Sequence, residues 1–207
     1  MKKCVIFTGG QIDDDFSFID IDDIKDTYII CADSGCIYAE KLGIKPDLII
    51  GDYDSLGFIP ENGIIFPVEK DDTDLMLAIK EGISSGYKCF DIYGAFGGRL
   101  DHLLGNIQSL GYIVEQECNG KLISQNEQVE ILPKGQYEML RKNGYSLSLF
   151  SYSDKVTGLT IAGTMYTAEN IEMDSSFPIG ISNKITSDKA YISFESGRLL
   201  VIQSKLF

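Results

Sequence analysis

Short apolar runs and helical patterns alternate through the first half of the chain. Runs rich in β-branched residues at Lys3 to Thr8, Thr27 to Ala32, Asp47 to Ile50, Gly63 to Pro67, Cys89 to Tyr93 and Lys121 to Ser124 predict strands. Between them a helix is expected around Cys36 to Leu42, after Ser34-Gly35. A second, Thr73 to Ile83, carries Leu75, Leu77, Ala78 and Ile79 on one face. A third, Leu100 to about Ile113, has Leu100, Leu103, Leu104 and Ile107 at helical spacing. Alternation of this kind predicts βαβ units and a largely parallel, Rossmann-like sheet.

After about Asn126 the texture changes and no further helical pattern occurs. Tyr145 to Phe150, Val156 to Ile161, Thr164 to Ala168, Ala190 to Phe194 and Leu199 to Ser204 are short, strand-like and separated by turn signals. The expectation is α/β for residues 1–126 and an all-β sandwich or barrel for 127–207, with the boundary between about Ser124 and Val129. Neither a low-complexity linker nor an internal repeat separates the two.

Composition narrows the partners. The 207 residues are 44% hydrophobic and 24% charged, enough to bury a sizeable core. No apolar run approaches the roughly 20 residues of a membrane span. The opening Met1-Lys2-Lys3-Cys4-Val5 runs straight into a strand pattern instead of a signal peptide, so a cytoplasmic protein is expected. Five cysteines without a CxxC pair read as reduced core thiols, and a single histidine, His102, argues against zinc. The net charge of −13 argues against nucleic acid. A polyphosphate can still bind an acidic protein if divalent cations lie between carboxylate and phosphate oxygens.

Four segments carry candidate chemistry, each after a predicted strand. In Pro46-Asp47-Leu48-Ile49-Ile50-Gly51-Asp52-Tyr53-Asp54-Ser55, Asp52 and Asp54 share one side if the backbone stays extended, which suits magnesium; two solvated loop aspartates are the plain alternative. In Lys70-Asp71-Asp72-Thr73-Asp74, Asp72 or Thr73 serves as a helix cap and Asp74 falls in the first turn, with Lys70 able to meet a phosphate. Gly94-Ala95-Phe96-Gly97-Gly98-Arg99-Leu100-Asp101-His102 matches neither the Walker A spacing nor G-x-G-x-x-G. Its glycines and helix start nevertheless favour an anion, and Arg99 offers a fork to phosphate oxygens. Asp33, in Ala32-Asp33-Ser34-Gly35, is by itself a plausible cap. Convergence raises the value of all four, because successive strand ends would deliver Asp33, Asp52 with Asp54, Asp74, and Gly94 to Asp101 to one edge of one sheet.

Taken in order, these motifs resemble the thiamin pyrophosphokinase family. Val156-Thr157-Gly158-Leu159 and Gly180-Ile181-Ser182-Asn183 extend the resemblance to the C-terminus. The resemblance implies an ATP-dependent diphosphotransferase making thiamin diphosphate and AMP, with Mg2+ as cofactor and a homodimer as the assembly. It places Asp33, Asp52, Asp54 and Asp74 at magnesium and the nucleotide phosphates, with Lys70, Asp71, Thr73 and Arg99 beside them. Asp101 falls near the thiamin hydroxyl, and Ser182 and Asn183 at the thiamin rings, although the residues alone read as an ordinary turn there. The chain has no tryptophan, which some family members use to cover a thiamin ring, so either Tyr166, Tyr191 or another apolar group is expected in that place or the pocket accepts something other than thiamin. A pterin diphosphokinase on a related scaffold, a non-catalytic nucleotide or vitamin binder and an acidic interaction module are the competing readings.

Overall fold

The computed structural model of the protein describes residues 1–10, 12, 15–51, 63–65 and 72–206, with the backbone alone for 63–65. Lys70, Asp71, Asp52 and Asp54 therefore lie outside the described residues. The chain divides into two compact units, Met1–Gln125 and Asn126–Phe207.

In the first unit the strands are β1 (Lys3–Phe7), β2 (Tyr28–Ala32), β3 (Leu48–Gly51), β4 (Gly63–Ile65), β5 (Cys89–Tyr93) and β6 (Asn119–Ile123). They form a parallel array in the order β6-β5-β1-β2-β3-β4. The chain builds outward from β1 to β4 and then crosses to the other side of β1 for β5. Neighbouring strands thus turn away from each other at the β1/β5 boundary, the switch point where open α/β sheets leave a crevice. Cys4 to Phe7 are all fully buried, as are Ile30, Cys31 and Ala32, because a parallel strand has helices or loops over both faces.

The helices are α1 (Ile21–Ile24), α2 (Cys36–Lys41), α3 (Asp74–Ser84) and α4 (Leu100–Glu115). The four-residue α1, capped by the Asp20 carboxylate on the Asp22 and Asp23 amides, is too short to leave a periodic signal in the sequence. In α4 the expected apolar face is only half right. Leu100 and Leu104 are 71% and 55% exposed, whereas Leu110 and Ile113 in the C-terminal half are buried. The reason is local: the second half of α4 lies on β6, where Gly120 has so little space that a Cβ would come within 2.7 Å of Ile113 Cδ1.

The second unit contains antiparallel strands β7 (Glu127–Leu140), β8 (Tyr145–Ser151), β9 (Lys155–Ala162), β10 (Ala168–Asp174), β11 (Gly180–Asn183) and β12 (Lys189–Lys205). Thr164 to Ala168 is not the strand expected there; only Thr164 makes an isolated bridge, to Ile185, and the strand starts at Ala168. The separate strands expected at Ala190 to Phe194 and Leu199 to Ser204 are one 17-residue strand with an irregularity between Phe194 and Arg198. Its first half pairs with β9, its second half with β8, and both halves pair with β7. Leu147, Leu149, Val156, Leu159, Ala190, Leu199 and Val201 form the centre of the enclosed core.

Two glycines in helices test the packing with opposite signs. A Cβ on Gly82 of α3 would lie 2.6 Å from Cε1 of Phe90, a ring with no freedom to retreat at 1% exposure. Gly82→Ala should therefore destabilise by about 1–2 kcal/mol, overpacking outweighing the roughly 1 kcal/mol gain in helix propensity. Gly105 in α4 has open space where its Cβ would be, so Gly105→Ala should stabilise by about 0.5–1 kcal/mol. Urea unfolding midpoints read both, and equal signs would refute the packing argument.

Candidate active site

Three turns at the carboxyl ends of β1, β2 and β5 meet almost backbone to backbone. A Cβ on Gly35 would come within 2.1 Å of the Phe7 carbonyl oxygen, and one on Gly94 within 2.2 Å of that of Thr8. Gly94 also has φ 73°, a conformation that costs glycine nothing. A Cβ on Gly10 would lie 2.1 Å from the Gly94 carbonyl oxygen, and one on Gly9 would lie 2.5 Å from Asp33 Oδ2. Here glycine is dictated by contact, and a cavity of about 710 Å³ opens above the junction.

Of the residues expected at a site, Asp33, Thr73, Asp74, Arg99 and Asp101 line this cavity, together with Gly94, Gly97 and Gly98. Asp33 is not the helix cap it resembles in the sequence. It opens a three-residue 3-10 turn (Asp33–Gly35) with φ 54°, a left-handed conformation that aspartate tolerates better than most residues. Thr73 is the N-cap of α3, its hydroxyl accepting from the Met76 amide at 3.2 Å, which leaves Asp74 in the first turn. Asp72 also lines the cavity and pairs with Lys80 at 2.6 Å. Thr8, Gly9, Gly10 and Asn106 also line it and were not singled out from the sequence. Thr8-Gly9-Gly10 carries the signal that marks the other turns, glycines directly after a strand. Asn106 sits mid-helix and donates to the Ala95 carbonyl at 2.8 Å, holding the glycine-rich turn from behind.

Arg99 and Asp101 pair with each other across the start of α4. Arg99 Nε donates to Asp101 Oδ1 at 3.1 Å and Nη2 to Oδ2 at 2.5 Å, while the His102 amide donates to Oδ1 at 2.9 Å. The Arg99 guanidinium, followed by the His102 amide, holds the Asp101 carboxyl below its usual range; Asp101 in turn raises Arg99. Both groups are largely solvated, so the pair orients more than it stabilises.

The donors around the cavity suit a hard divalent cation. Carboxylates of Asp33, Asp72 and Asp74 approach it, and magnesium prefers one or two protein carboxylates plus phosphate oxygens to a complete protein cage. Among the described residues no three carboxylate, thiol or imidazole groups converge closely enough to hold a metal alone.

In the second unit an apolar cavity of about 330 Å³ is lined by Leu149, Tyr166, Met173, Ile179, Ile181 and Asn183, among others. Gly180-Ile181-Ser182-Asn183 is strand β11 and not a turn. Ser182 has φ 59°, is exposed, and its amide donates to Ser148 Oγ at 3.0 Å. Asn183 is 7% exposed and works as an internal clamp. Its Oδ1 accepts from the amides of Tyr166 (3.0 Å) and Lys184 (2.8 Å), and its Nδ2 donates to the Tyr166 carbonyl (2.7 Å). Tyr166 is thereby fixed at the cavity with the residue 66% exposed, whereas Tyr191 lies under Lys189 Nζ, 5.1 Å from the ring centroid, and does not line it.

An α/β unit with carboxylates and glycine turns at its switch point, followed by an antiparallel unit with an apolar cavity, defines a two-unit class of protein with an anion-favouring cavity in the first unit and an apolar one in the second. Comparison with known proteins makes this specific. The family model for the thiamin pyrophosphokinase catalytic domain matches residues 24–122, and that for the thiamin pyrophosphokinase vitamin B1 binding domain matches residues 130–199. Thiamine pyrophosphokinase from Bacillus subtilis is 30% identical over 216 residues, covering 99% of each chain. The crystal structure of thiamine pyrophosphokinase from Bacillus subtilis superposes with a TM-score of 0.89 at 28% identity, over 100% of both chains. That of thiamin pyrophosphokinase from Geobacillus thermodenitrificans gives 0.84 at 25% identity, over 99% of this chain and 98% of that one. The chain belongs to the thiamin pyrophosphokinase family.

The Arg99–Asp101 pair has a readable titration. With its native pKa depressed, Asp101 contributes its small stabilisation above the unfolded-state value and loses it as pH falls through the native one. In a carboxyl-carbon NMR titration its midpoint should fall below the ordinary aspartate value of about 3.9, and Arg99→Ala should raise it towards that value. A midpoint indifferent to Arg99 would show that the two do not pair in solution.

Proposed function

We propose that the protein is a thiamin diphosphokinase, transferring diphosphate from magnesium-bound ATP to the hydroxyl of thiamin and releasing AMP. The observation that carries this reading is the family match to both units of one chain, with Asp33, Asp74, Asp101 and the glycine turns on a single cavity in the first. The polyphosphate would lie over the turns after β1, β2 and β5, where backbone amides and the start of α4 favour an anion. Asp74, with Asp52 and Asp54 from the segment after β3, would hold the metal, and Asp33, Lys70, Asp71 and Thr73 would stand around the nucleotide. Magnesium, when bound, supplies neutralisation of the phosphate charge and holds the chain of phosphates for in-line displacement.

The thiamin oxygen forms a bond to the β-phosphorus while the bond from that phosphorus to the α–β bridging oxygen breaks, and AMP departs with the bridging oxygen. Asp101 is the proposed acceptor of the hydroxyl proton. It is ionised at neutral pH, and its proton affinity rises if Arg99 turns from it to a phosphate oxygen, since the partner that depresses it has then left. The apolar cavity of the second unit suits the thiamin rings, with Tyr166 at its mouth and Asn183 holding Tyr166; Ser182 is the exposed polar neighbour on β11. A homodimer fits the exposure of Leu100 and Leu104, which a second copy would cover, and a cytoplasmic location fits the substrates.

Purified protein given ATP, magnesium and thiamin should yield thiamin diphosphate and AMP in equal amounts, followed by mass spectrometry. AMP formed only with a hydroxymethyl pterin would replace the acceptor and keep the chemistry. Absence of AMP with either acceptor would overturn the reading. Asp54→Asn and Asp74→Asn should each lower kcat by about a hundredfold or more with unchanged melting.

A further inference from the structure

Among the described residues, the Tyr38 side chain holds the turn after β1 from outside the cavity. Gly9 and Gly10 line the cavity, and Tyr38 on α2 does not. The Tyr38 hydroxyl donates to the Gly10 carbonyl at 2.6 Å and accepts from the Ile12 amide at 3.4 Å, so it occupies the bend as both donor and acceptor. Its ring packs on the core containing Val5, Phe7 and Cys31 and is tilted against Phe16, centroids 6.3 Å apart. A half-buried aromatic ring places its hydroxyl at small entropic cost. On the cavity side, Gly9 and Gly10 press against Asp33 and Gly94. Among the described residues neither glycine donates its amide to a backbone carbonyl.

Two successive glycines have no Cβ of their own to restrict rotation of their peptide planes. Rotation here would swing a carbonyl oxygen towards any anion in the cavity and repel it. The Tyr38 hydroxyl opposes this, because it holds the Gly10 oxygen on the α2 side.

We infer that Tyr38 is a positioning residue for the nucleotide: by pinning the Gly10 carbonyl it keeps the turn after β1 in the conformation that accepts a polyphosphate. The inference rests on the diphosphokinase reading, in which ATP occupies this cavity. Tyr38 touches no substrate and acts through the loop.

Tyr38→Phe removes the hydroxyl and keeps the ring. The expected result is a rise of about fivefold to tenfold in KM for ATP, the effect of losing one or two neutral hydrogen bonds. The dissociation constant for ATP with magnesium, measured by calorimetry without acceptor, should rise by the same factor. KM for thiamin and the melting temperature should hold, and amide exchange at Gly9 and Gly10 should quicken while that of α2 does not. Unchanged ATP binding in the variant overturns the inference and leaves the diphosphokinase reading intact. Equal losses for both substrates with a lowered melting temperature also overturn it, since they mark a merely structural tyrosine. Wild-type protein that binds no ATP overturns both readings and is distinguished by needing no variant.

Discussion

Backbone touching backbone is the constraint on which the first unit depends. Where the turns after β1, β2 and β5 converge, a methyl group at Gly10, Gly35 or Gly94 would come within 2.1 to 2.2 Å of a neighbouring carbonyl oxygen and overlap it. That closeness is possible only because parallel strands end together on one edge. Strand order then matters as much as strand direction, since β1 sits between β2 and β5 and brings its own turn between theirs. The cavity follows from this geometry, not from any one motif.

Charge adds a second layer. On the proposed reading a protein of net charge −13 binds a polyanion and must separate its own carboxylates from the phosphates, and this site offers two means of doing so. Peptide groups and a helix start offer partial positive charge without a lysine. Arg99 and Asp101 neutralise one another at the entrance to α4, so a free guanidinium is obtained only by giving up that pair.

Much of the first unit was legible because its elements are locally determined. β5 matches its apolar run residue for residue, and α3 begins at the threonine cap followed by an aspartate that the sequence announces. Elements set by tertiary context were harder. Leu100 and Leu104 look like core by spacing, yet only the later turns of α4 reach the sheet. In the second unit β7 was missed because Pro133 and Gly135 interrupt its pattern, and β12 was divided because Ser196-Gly197 reads as a turn when it is an irregularity in a continuous strand. Asp33 was correctly placed at a strand end, but its backbone conformation has no signature in the sequence. Gly9-Gly10 had one and was overlooked beside the louder aspartate motifs. The family resemblance puts Asn183 at the thiamin rings, and the residues alone read as a turn; neither announces the contact of its side-chain amide with Tyr166, which only the fold brings alongside it.

The long strand β12 bears on how the second unit comes apart. Its two halves take different neighbours on one side, β9 and then β8, while β7 follows it almost throughout on the other. Peeling away either flank therefore leaves the axis of the unit still paired, and no strand can detach β12 by itself. Such an arrangement couples the two ends of the unit mechanically, so that local fraying stays confined to the margins and full opening requires both flanks to be lost together.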